Sequence, residues 1–100
     1  MKEEEISMNV RLYCQRALLG EITKNIRLIT IDWDALKNFK FRVYFEVTPT
    51  LEEIEEMEAV TSEVLSGLPF EQVEPVEAIV LNQPMQTLPV YKCVIFARKE

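Results

Sequence analysis

Asp32-Trp33-Asp34 is the tightest grouping in the chain of residue types that can do chemistry. Two carboxylates around an indole at a strand end can coordinate a hard cation, which prefers oxygen ligands, or anchor a basic side chain of a partner. The competing reading, which the pattern favours, puts Trp33 in the core and lets the aspartates cap the following turn. A second grouping is larger. Val43 to Tyr91 holds ten glutamates and no Lys or Arg, against a net charge of −6 for the whole chain, so the remainder carries +4. Within that segment Glu52, Glu55, Glu56 and Glu63 repeat at helical spacing opposite an apolar stripe, and Glu71, Glu74 and Glu77 continue the acidity. No Lys or Arg stands four residues away, so the helical acids repel one another at a few tenths of a kcal/mol per like-charge pair. One reading is a solvated face that keeps the protein soluble. The other is electrostatic recognition of a cationic partner. Tyr44, between Arg42 and Glu46 on the polar side of a strand, is either a binding anchor or a cross-strand packing residue.

Catalytic chemistry finds little to work with. The chain has no histidine, the commonest general acid or base and activator of nucleophiles. It carries none of the phosphate-binding, zinc-hydrolase or nucleophile-elbow signatures. Two glycines in all leave little material for a phosphate-cradling loop. Cys14 and Cys93 each sit in an apolar pattern and read as buried thiols, and without histidine or a CxxC pair a zinc site is not expected. The reading is a non-enzymatic protein with no cofactor and no metal. The acidic segment would repel nucleic acid, whose binding requires cationic surface. No apolar run is long enough to span a membrane, and the acidic Met1-Lys2-Glu3-Glu4-Glu5 start does not look like a signal peptide, so the expected location is the cytoplasm.

Local elements must position these groups. Asn9 is read as the cap of a first helix over about residues 9 to 19, with Val10, Tyr13, Cys14, Ala17 and Leu18 as its apolar stripe and Gly20 as its left-handed stop. Met1 to Ser7 then form a flexible polar extension, and residues 8–100 a single domain. Asn25 to Asp34 reads as a strand with Ile29, Ile31 and Trp33 on one face. Phe39, Phe41, Val43 and Phe45 alternate with polar residues in a second strand, and the two form a hairpin with a loop of several residues. Thr50 and Glu53 make a capping box for a second helix over about 51 to 66, striped by Ile54, Met57, Val60, Val64 and Leu68. Strands over about 73 to 82 and 90 to 98 follow, the last with apolar residues on both faces and hence expected inside the sheet. The order α-β-β-α-β-β predicts an α+β two-layer sandwich: a four-stranded, mainly antiparallel sheet with two helices on one face. It equals a ferredoxin-like order with the first strand moved to the end, with a crossover around the second helix; a simple mixed meander is the alternative topology.

Arg16-Ala17-Leu18-Leu19-Gly20, Asn25-Ile26-Arg27 and Asp32-Trp33 resemble the opening of a family of small bacterial immunity proteins of contact-dependent inhibition and related toxin systems. Pro49-Thr50 before the acidic helix, Thr61-x-Glu63-Val64 and the closing Ala97-Arg98-Lys99-Glu100 are similar to the same family, so the likeness runs from about Met8 to the end. It implies an antidote that binds one cognate toxin domain, and carries over no functional residue by position. The expectation is an immunity-type protein, monomeric or weakly dimeric. It would neutralise a basic, nuclease-like toxin through Glu52, Glu55, Glu56, Glu63, Glu71, Glu74 and Glu77, helped by Asp32, Asp34 and Tyr44. The alternative is a structural or regulatory α+β module that self-associates through its sheet.

Overall fold

The apolar spacing in the first thirty residues buries Ile6, Val10, Cys14 and Ala17 along one side of a helix. That helix, α1, spans Glu3–Ala17 in the computed structural model, which describes residues 3–34, 37–68, 70, 74–81, 83 and 93–99. It begins six residues before the expected start. Ile6 extends the stripe one turn towards the N-terminus and is 3% exposed, so this turn has its own burial to hold it. Glu3, Glu4 and Glu5 fall in the first turn, where the helix dipole favours acids. Asn9 is therefore an interior residue, not a cap. Gly20 adopts φ +77° just past the helix end, a conformation that side-chain-bearing residues rarely take.

Strands β1 (Ile26–Asp34) and β2 (Lys37–Phe45) pair antiparallel, Ile29 opposite Val43 and Ile31 opposite Phe41. Their pairing runs to Asp34 and Lys37, which leaves two residues between them, fewer than the expected loop of several. Helix α2 (Leu51–Leu65) opens on Thr50, whose hydroxyl accepts from Glu53 N while the Glu53 carboxylate accepts from Thr50 N, each at 3.1 Å. This is the reciprocal capping that the sequence spacing predicts.

Strands β3 (Glu77–Val80) and β4 (Cys93–Ala97) complete a sheet of order β3-β2-β1-β4. Two of the expected details are corrected here. The sheet is mixed, because β3 joins β2 in parallel, Arg42 beside Glu77 and Tyr44 beside Ile79. The chain returns from α2 in the direction of β2, and such a parallel return requires a crossover of helical length. The last strand lies at an edge, against β1, not inside the sheet as a permuted ferredoxin-like order requires. Its two-sided apolar pattern has a local cause. Ile29 pairs with Phe96 and Thr30 with Val94, so Ile95 is an extra residue in β4. The bulge breaks the alternation, and Ile95 and Phe96, adjacent in sequence, both pack on the core. Arg11 of α1 reaches this edge and donates from its guanidinium to Val94 O at 3.4 Å.

One core cluster unites the stripes of both helices with Ile29, Ile31, Trp33, Phe39, Phe41, Val43 and Phe45. The opposite sheet face carries Leu28, Thr30 and Tyr44, also buried, and then becomes ionic. Arg27 holds the chain beyond β3 there, donating to Leu81 O at 2.5 Å and Gln83 O at 2.9 Å.

Candidate functional site

Helix α2 turns Met57, Val60, Thr61 and Val64 inward, and the 3.6-residue period then sends Glu52, Glu55, Glu58 and Glu63 outward, all exposed. Among the described residues, no Lys or Arg forms an ion pair with any of these four. Glu56 is half-buried beside them. Partial desolvation, then the charges of Glu21, Glu52 and Glu53, push its carboxyl above the ordinary range. The outer side of α2 is thus a region of uncompensated negative charge, widened by Glu21 from the loop after α1.

Glu53, in the same helix, has a different role. Its carboxylate accepts from Thr50 N and from Thr23 Oγ at 3.0 Å, with the Asn25 amide at 3.5 Å. Desolvation would raise its pKa, but these hydrogen bonds outweigh it and hold the carboxyl below its usual value. Asn25 also bonds Val47 through both its side-chain groups, accepting from Val47 N at 2.9 Å and donating to Val47 O at 3.1 Å. Glu53 and Asn25 together tie the entry of β1 to the entry of α2.

The structure divides the remaining acids from this surface. Arg42 on β2 takes Asp32 at 2.5 Å on one side and Glu77 at 3.2 Å on the other. Desolvation would lower the pKa of that guanidinium, but both carboxylates raise it. Lys40 pairs with Glu74 at 3.7 Å, and Arg98 with Glu46 at 3.4 Å. So the excess of ten acids in one sequence segment is partly neutralised in space: β2 and the C-terminal end supply the cations. Asp32, Glu74 and Glu77 sit in ion pairs within the chain. Tyr44 is 4% exposed, which favours its packing role over that of an outward anchor. Trp33 is 6% exposed and meets Phe70 edge-on at 6.0 Å, so the indole belongs to the core. Glu71 and the side chain of Asp34 lie outside the described residues. Among the described residues no three of His, Cys, Asp and Glu converge as a metal site would require, and no helix is long and apolar enough to cross a membrane.

Sequence spacing alone did not single out Glu58 or Glu21. Glu58 lies a turn from Glu55 and was available from the helical period; Glu21 reaches the α2 acids only through the tertiary fold. Two depressions flank the surface. One, of about 290 Å³, lies between α2 and the residues entering β3, lined by Glu58, Thr61, Ser62, Leu65, Glu74 and Val76. The other, of about 260 Å³, lies between the C-terminal ends of the two helices and holds Tyr13, Arg16, Glu63 and Gly67.

An open mixed sheet with two helices, one presenting outward carboxylates that no described Lys or Arg pairs, defines a small α+β domain whose most distinctive surface is a charged face. The sequence model of the MafI2 immunity protein family matches residues 7–100, and the chain belongs to that family. This agrees with the resemblance to small bacterial immunity proteins that its helix and strand motifs carry. No curated protein sequence matches the chain.

Proposed function

We propose that this protein neutralises a cognate toxin domain by binding it, without catalysis, through the outer face of α2. The observation that carries the reading is the set of exposed acids Glu52, Glu55, Glu58 and Glu63, unpaired among the described residues on a helix that is otherwise well capped. A basic face is the electrostatic complement, and nuclease-type toxins of contact-dependent or related systems have such faces because their substrates are polyanions. Charge of this kind mainly accelerates encounter and selects the partner. Family membership supports a toxin as the partner, and the cytoplasm of the producing cell is where an antidote to such a toxin acts.

Binding of the purified toxin domain tests the reading. Glu52→Lys/Glu55→Lys/Glu63→Lys is expected to slow association at least about tenfold at low salt, with a smaller loss near 0.5 M salt, where the Debye length has shrunk to about 4 Å. Unchanged association at low salt would remove α2 from the interface. The self-association reading draws on Val80 and Val94, each 43% exposed on the two edge strands. Light scattering at high protein concentration separates it from the first, since a strict monomer excludes it.

A further inference from the structure

We infer that the groove between α2 and the residues entering β3 receives one arginine side chain of the partner. The inference rests on the toxin-binding reading of α2 and adds to it a seat of defined chemistry. The groove encloses about 290 Å³. Leu65 and Val76, half-buried and packed on the core, line it together with Pro75. Among the described residues, its charged lining comes from two separate elements, Glu58 from α2 and Glu74 from the segment before β3, and includes no base. Thr61 adds no free donor, because its hydroxyl already donates to Met57 O at 2.8 Å. The ion pair of Glu74 with Lys40 is long, at 3.7 Å, and its carboxylate side chain is 47% exposed, so Glu74 remains accessible to a second cation.

An apolar lining with carboxylates on two walls suits a side chain with a methylene stem and a cationic head. Arginine fits better than lysine. Its planar head directs five donors outward, it is more weakly hydrated, and its stem packs against apolar surface such as that of Leu65, Pro75 and Val76. An anionic ligand would face the carboxylates of Glu58 and Glu74, with Lys40 nearby already paired to Glu74. A neutral apolar side chain would desolvate both carboxylates without replacing their hydrogen bonds. The depression at Tyr13 lacks this selectivity, since Arg16 and Glu63 both line it.

The full chain, labelled for NMR, is titrated with N-acetyl-argininamide and, in parallel, with its neutral isostere N-acetyl-citrullinamide. The arginine probe is expected to shift Thr61, Leu65 and Val76 saturably with a Kd in the millimolar range. Glu58→Gln/Glu74→Gln should weaken it at least about fivefold, and the neutral probe should not saturate. Equal binding of the neutral probe, or shifts centred away from these residues, overturns the proposal. So does the absence of saturation by about 50 mM. Ser62→Trp, which fills the groove from an exposed position, is then tested against the toxin domain and should raise Kd at least about tenfold. If filling the groove leaves Kd unchanged while reversal of Glu52, Glu55 and Glu63 slows association, the arginine seat is wrong and the α2 surface stands. If neither changes binding, both fall.

Discussion

Replacing Glu53 by Ala removes one side chain that bridges two backbone segments, the residues entering β1 and the start of α2. Its carboxylate accepts from Thr50 N and from Thr23 Oγ and lies within 3.5 Å of the Asn25 amide. Loss of a capping interaction costs about 1 kcal/mol. The hydrogen bond from Thr23 to a charged acceptor adds about 1.5 kcal/mol if fully desolvated, and under about 1 here because the site is half-exposed and water can replace it. The sum is about 1.5–2 kcal/mol. For a domain of this size that lowers Tm by about 6–16 °C. Urea unfolding should show a lower midpoint with an unchanged slope. The pH dependence is a second signature. The folded carboxyl lies below its ordinary 4.5. A group depressed in the folded state contributes its stability above the unfolded pKa and loses it as pH falls through the folded one. The gap between parent and variant should therefore be full well above pH 4.5 and shrink as pH falls below it. Glu53→Gln keeps an acceptor oxygen and should recover about half the loss at neutral pH. A gap under about 0.5 kcal/mol, or one constant across that pH range, would refute the assignment of Glu53 as the tie between β1 and α2.

Thr30 is fully buried and its hydroxyl has no hydrogen-bond partner among the described residues. Thr30→Val keeps the β-branched shape and should stabilise by about 1 kcal/mol, and a lower urea midpoint would contradict this. A Cβ at Gly67 would stand 2.8 Å from the Tyr13 ring, so Gly67→Ala should cost about 1–2 kcal/mol. Adding Tyr13→Leu should return part of that loss, and strict additivity in the double variant would argue against the contact. Burial, followed by the nearby Cys93, pushes the Cys14 thiol up to about 12, and burial also raises Cys93. Neither thiol should react with iodoacetamide in the native state near pH 8, and mass spectrometry would expose native labelling that overturns this.

The elements were legible where local chemistry decides them. Thr50 and Glu53 announce α2 because a capping box is written within four residues. Alternation from Phe39 to Phe45 announces β2 because one face must be apolar. The start of α1 was missed because three glutamates resemble a polar tail until Ile6 is counted into the stripe. Strand order was not legible, since β3 and β4 choose their neighbours through pairings dozens of residues apart. The same distance concealed the charge pairing. Asp32, Glu74 and Glu77 look available along the chain, and only the side-by-side placement of β1, β2 and β3 delivers Lys40 and Arg42 to them. The outward placement of Glu52, Glu55 and Glu63 was readable in advance because a helix displays its period without help from the rest of the fold, whereas Glu58 was passed over and Glu56, read with them, is half-buried.

The position of β4 also dictates how a shortened chain would fail. β1 is nine residues long and has β2 on one side and only the five residues of β4 on the other. A product ending before Cys93 keeps the hairpin and both helices but uncovers one long side of β1, rich in isoleucine, with its amide and carbonyl groups open. Such a side recruits strands from other copies. Loss of the residues from Cys93 onward would then yield aggregates in place of a weakened monomer, so this short edge strand decides between a soluble domain and an insoluble one.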